Sequence, residues 1–110
     1  MEQPALFETD PTLQVLKDNA SRFRDGFVLW YLDNRHIWKA FCDEANKMRK
    51  AGAASYSARM IVYVLRHNST LADSGNPWKI NDHCSPDLGR LYMLTHADAR
   101  DFFETRSRAA

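Results

Sequence analysis

The chain has 110 residues, 45% of them hydrophobic, a size and apolar content suited to one domain with one core. Its two cysteines, Cys42 and Cys84, have neither paired metal-site spacing nor the density of a disulfide scaffold, and no apolar run approaches the roughly 18 residues of a membrane span. A net charge of +1 excludes a protein made adhesive to polyanions over its whole surface. The start, MEQPALFETDP, lacks a basic segment followed by an apolar stretch, so reduced thiols, a cytoplasmic location and no membrane partner are expected.

Residues 1–10 hold Pro4 and several acids without any periodicity, and they read as a flexible N-terminal tail. Asp10 can cap a helix opened by Pro11, in which Leu13, Leu16, Ala20 and Phe23 recur at helical spacing until Gly26. The apolar run Phe27-Val28-Leu29-Trp30-Tyr31-Leu32 fits a buried helical turn or a strand by periodicity, and its helical neighbours favour the helix. Asp33 and Asn34 offer N-cap side chains to the next helix, whose inner stripe is Ile37, Trp38, Phe41, Ala45 and Met48. Gly52 suits its C-terminal cap.

Ser55 or Ser57 can cap a further helix with Met60, Ile61, Val64 and Leu65 facing inward and continuing toward Leu71. The turn sequence Asp73-Ser74-Gly75-Asn76-Pro77 stops it, and the conformation of 74–85 stays open. Ser85-Pro86-Asp87 reads as the cap and dipole-matched first turn of another helix, with Leu88, Leu91, Tyr92 and Met93 inward. A short last helix is predicted near 97–106, docked by Phe102 and Phe103. The expected architecture is all-α: a compact bundle of about five helices with a helix-turn-helix-like pair, one domain over 11–106 and a C-terminal tail at 107–110.

Charge is unevenly distributed along this frame. Residues 35–72 carry seven basic side chains against two acidic ones, while the flanking thirds are net negative. A basic segment in a nearly neutral protein suggests one face for a polyanion. Two helices joined by Ala51-Gly52-Ala53-Ala54-Ser55-Tyr56 resemble the arrangement that presents a second helix to a DNA major groove, though the link is longer than the tight version. With the core face assigned above, that second helix turns Arg59, Tyr63, Arg66 and Thr70 outward, side chains that reach phosphates or base edges. The candidate nucleic-acid-binding set is Lys47, Arg49, Lys50, Tyr56, Ser57, Arg59, Tyr63, Arg66 and Lys79. Trp78 beside Lys79 is a candidate for stacking on bases.

In the tail, Gln3-Pro4-Ala5-Leu6-Phe7 resembles the bacterial sliding-clamp-binding peptide of form Q-x-x-L-F. The resemblance implies that Leu6 and Phe7 insert as adjacent apolar anchors while Gln3 hydrogen-bonds at the rim. A second resemblance spans about residues 27–106. Asn34, Ile37, Trp38 and Phe41, then Tyr56-Ser57-Ala58-Arg59, Arg66, Lys79-Ile80-Asn81, Arg90-Leu91-Tyr92-Met93 and Phe102-Phe103-Glu104-Thr105-Arg106 are similar to a family of small phage- and prophage-encoded proteins. That family has no settled biochemical function. The resemblance therefore implies a mobile-element setting and the domain limits, and it transfers no catalytic residue. Where the family shows an Asn pair after Lys-Ile, this chain has Asn81-Asp82.

Enzymatic chemistry finds no foothold in the pattern. His83-Cys84 with His96, Cys42 or His67 lacks ligand spacing, and there is no Gly-rich phosphate loop, magnesium-type acid cluster or nucleophile elbow. No enzyme activity, cofactor or metal is expected. The expected function is a phage-type DNA-binding accessory or regulatory protein, docked on the replication sliding clamp through its tail, with DNA and the clamp or another host protein as partners. The alternative is a non-enzymatic inhibitor that binds a host defence or replication factor. The oligomeric state is left open.

Overall fold

The computed structural model describes residues 10–72 and 84–103, with side chains through Ser69 and from Cys84 onward. Helix α1, Pro11–Asp18, starts as its sequence dictates: Pro11 opens it and the Asp10 carboxylate accepts from the Leu13 amide at 3.1 Å. It ends earlier than its apolar spacing predicts. The Asn19 side-chain amide donates to the Val15 carbonyl at 2.9 Å, a local bond that competes with helix continuation. A 3-10 turn at Ala20–Arg22 follows, and Phe23 enters the core from extended backbone.

Gly26, at φ 87°, adopts the left-handed conformation that lets the chain turn into α2, Phe27–Asp33. The apolar run is thus a helix, and an amphipathic one: Phe27 and Tyr31 are buried while Leu29 and Leu32 are exposed. Asn34 ends α2 and begins α3, Arg35–Lys50. Its side chain does not cap α3 as expected. Instead it donates to the Trp30 carbonyl at 2.8 Å, because the last turn of α2 also needs a donor and lies within reach. In α3 the buried stripe is Ile37, Trp38, Phe41 and Ala45, with Met48 half-buried. Gly52, at φ 99°, closes the helix: its amide donates to the Arg49 carbonyl at 3.0 Å and the Ala53 amide to that of Met48 at 3.1 Å. That pair of bonds is a Schellman motif.

Helix α4, Ala58–Ala72, is capped by Ser57, whose Oγ accepts from the Met60 amide at 3.3 Å. Its inner face differs from the expected one. Ile61, Val62, Leu65 and Ser69 are buried, whereas Met60 is exposed and Val64 only half-buried. The rotation follows from two neighbours, since α4 packs against both α3 and α5. A Cβ on Gly89 of α5 would lie 3.2 Å from the Ala58 Cβ, so the missing side chain is what lets α4 begin this close.

Helix α5, Cys84–Thr95, buries Leu88, Leu91 and Tyr92, with Met93 partly buried. Ser85, expected as its cap, lies within the helix instead, while Asp87 does stand in the first turn. Asp87 is buried, paired with Arg90 at 3.1 Å, and accepts from the Arg24 backbone amide at 3.4 Å. The expected last helix over 97–106 is replaced by a 3-10 turn, Ala97–Ala99, and a parallel bridge between Tyr56 and Phe103. The Tyr56 amide needs an acceptor, and the Phe102 carbonyl at 3.0 Å supplies it by leaving helical geometry. Residues 104–106 lie outside the described ones.

Among the described residues the architecture is an all-α bundle of five helices. Its centre is aromatic: Trp38 stacks on Phe41 at 6.1 Å, and Phe41 meets Tyr92 edge-on at 6.4 Å and Phe103 at 5.5 Å. Among these residues no helix is long and apolar enough to cross a membrane.

Candidate nucleic-acid interface

The last turn of α3 and the outer face of α4 hold most of the sequence-predicted basic residues. Lys47 and Lys50 are exposed. Arg49 is turned inward, because it stands four residues after buried Ala45 and so continues the core stripe of α3. Its Nη1 donates to the hydroxyl of buried Tyr92 at 3.0 Å, and its Nη2 lies 2.8 Å from the Asp98 carboxylate. Hydrogen bonds to Tyr92 and then Asp98 raise the pKa of Arg49, and the bond from Arg49 in turn holds Asp98 below the usual carboxylate range.

Tyr92 anchors this network. Its hydroxyl donates to Asn46 Oδ1 at 2.5 Å, and the imidazole of His96 stacks on its ring with centroids 3.9 Å apart. His96 Nδ1 is held at 2.9 Å from the Tyr92 carbonyl. The roles of Asn46, Tyr92, His96 and Asp98 were not read from the sequence, which marked Tyr92 only as core. The signal within reach was the i, i+4 step from Ala45 to Arg49, which put a cation on an apolar stripe and called for a buried acceptor.

Tyr56 and Ser57 are engaged locally, the first in the bridge to Phe103 and the second as the cap of α4. Arg59 is exposed at the start of α4, and Tyr63 one turn on is 47% exposed. Arg66 is half-buried and its guanidinium lies 5.7 Å from the centre of the Tyr63 ring, within cation-π range. Arg59, Tyr63 and Arg66 thus share one side of α4. The Thr70 side chain, Lys79, Trp78 and the tail residues Gln3, Leu6 and Phe7 lie outside the described residues.

From Ala45 to Ala72 the sequence contains no Asp or Glu, so the end of α3, the link and all of α4 present cations without intervening acids of their own. Beside the link a groove of about 590 Å³ runs between Arg49, Ala53, Ala54 and residues 97–102. Elsewhere, burial pushes the Cys42 thiol up to about 12, which marks it as a protonated, unreactive group. Among the described residues no cluster of three His, Cys, Asp or Glu side chains could hold a metal ion. Neither a family model, nor a curated protein, nor a solved structure matches the chain.

Proposed function

We propose that this protein binds DNA through the outer side of α4 and the basic end of α3, as an accessory or regulatory protein of phage or prophage type. The observation that carries the reading is the acid-free stretch from Ala45 to Ala72, on which Arg59 and Tyr63 face solvent and Lys47 and Lys50 stand exposed. Cations supply affinity by releasing counterions from the phosphate backbone. Tyr63, backed by Arg66, supplies a flat amphipathic surface beside them. The tail motif Gln3-Pro4-Ala5-Leu6-Phe7 adds docking on a sliding clamp, which raises the effective concentration at the replication fork.

A mobility-shift titration of duplex DNA at two salt concentrations tests the reading. Binding should weaken steeply as salt rises and should fall in an Arg59→Ala, Tyr63→Ala variant. Absent or salt-insensitive binding overturns it. For the tail, co-purification with a bacterial sliding clamp should vanish in a Leu6→Ala, Phe7→Ala variant, and unchanged recovery removes the docking role.

A second reading, inhibition of a host protein by surface contact, is favoured by one feature of α2. Leu29 is 69% exposed with Leu32 one turn away, an apolar pair on a helix whose opposite side is fully engaged in the core. Salt-insensitive capture of a host factor that is lost in Leu29→Asp distinguishes this reading from the first.

A further inference from the structure

Arg49 is the cation of the basic turn that the DNA reading leaves idle, since it is already paired. The two sides of that pairing are unequal. On the inner side the guanidinium is fixed by the hydroxyl of Tyr92, itself fully buried and held by Asn46. On the outer side its only described partner is Asp98, whose side chain is 80% exposed while that of Arg49 is 24% exposed. Asp98 sits in the short 3-10 turn Ala97–Ala99, where a change of rotamer swings the carboxylate into water without moving the backbone. Exposed ion pairs are weakly held. Removing Asp98 therefore leaves the Nη1 bond to Tyr92 in place and releases Nη2 of a residue that lines the groove.

That groove is large enough for a phosphate group and its sugar neighbours, at about 590 Å³, and it also holds Arg100. Its walls include Ala53, Ala54, Ala97 and Ala99, which keep side chains out of the approach to Arg49. A carboxylate and a phosphate present the same oxygen acceptors to a guanidinium. We propose that Asp98 is a removable stand-in for a backbone phosphate, and that a phosphodiester of bound nucleic acid displaces it to seat between Arg49 and Arg100. The inference rests on the DNA reading above and adds a specific phosphate site to it. Asp98 then lowers affinity for nucleic acid at large, because every phosphate must compete with an acceptor already in place.

Two measurements test this. The first is duplex DNA binding across a salt series for the native protein, Asp98→Asn, Asp101→Asn, and Asp98→Asn with Arg49→Gln. Asp101 lines the same groove and is exposed, so its substitution controls for the gain of one net positive charge. Asp98→Asn should bind several-fold tighter with the log–log salt slope unchanged, because the same phosphate is neutralised in both proteins, whereas Asp101→Asn should gain much less. Adding Arg49→Gln should abolish the gain. Equal effects of Asp98→Asn and Asp101→Asn overturn the proposal while leaving the DNA reading intact.

The second measurement does not depend on DNA. In Asp98→Asn the side-chain resonances of Arg49 should shift on titration with inorganic phosphate and not with chloride at matched ionic strength. A phosphate response without DNA binding by any variant keeps the site and discards the DNA reading. Absence of a phosphate response overturns the site.

Discussion

Asp87 and Arg90, one turn apart on α5, form a buried ion pair at 3.1 Å that also grips a distant stretch of chain. The Asp87 carboxylate accepts from the Arg24 amide and Arg90 Nη1 donates to the Arg22 carbonyl, so the segment between α1 and α2 is tied to α5 through its middle. Removing the acid from such a pair strands a charge in a poorly solvated place. Asp87→Ala should cost about 3–5 kcal/mol in chemical denaturation, and an Asp87→Leu, Arg90→Met double variant should recover much of it. A loss under 1 kcal/mol would show that water reaches the pair.

Tyr31 donates its hydroxyl to both oxygens of Asp10, at 3.1 and 2.9 Å, and Arg35 Nε lies 3.3 Å from the same carboxylate. Burial, reinforced by the bond to Asp10, pushes the Tyr31 pKa from the ordinary 10.0 to about 12. An unfolded chain gives up this proton first as pH rises. The stabilisation is therefore full below pH 10 and is lost progressively as pH climbs toward 12. Ultraviolet titration should find Tyr31 ionising late, and Asp10→Ala should return it toward its ordinary value.

The same Asp10 carboxylate caps α1. Asp10→Ala should thus also lower stability at neutral pH by about 1 kcal/mol, read as a shift in the denaturation midpoint at constant slope. A change in the slope instead would point to altered compactness.

Gly52 holds φ at 99° with nothing within 4 Å of where a Cβ would stand. Strain alone sets the cost there. Gly52→Ala should destabilise by about 1–2 kcal/mol, and Gly52→Asn by less, since Asn enters the left-handed region more readily. Equal losses would mean that the Schellman closure of α3 tolerates either backbone.

With its pKa near 12, the thiol of Cys42 has very little thiolate at neutral pH. Alkylation of the native protein at pH 8 should modify Cys42 at least about a hundredfold more slowly than after denaturation, because only the thiolate attacks. Comparable rates in the two states would place Cys42 in open solvent.

Signals confined to one helical turn were legible in the sequence. Asp10-Pro11, Ser57 and Gly52 cap the helices they were expected to cap, and the α3 stripe Ile37, Trp38, Phe41 and Ala45 is the core face its spacing implied. Each depends on groups within four residues of one another, so the chain carries the answer locally. The positive middle of the chain is likewise a property of composition.

What tertiary structure alone decided are pairings across long separations. Arg49 meets Tyr92 across 43 residues, and Arg24 meets Asp87 across 63. The rotation of α4 that exposes Met60 is imposed by α3 and by the gap at Gly89, and the Tyr56–Phe103 bridge draws residues 102–103 out of a helix their composition allows. Buried polar groups must find partners wherever the fold brings them, and helical periodicity records only which side turns inward, not which acceptor waits there.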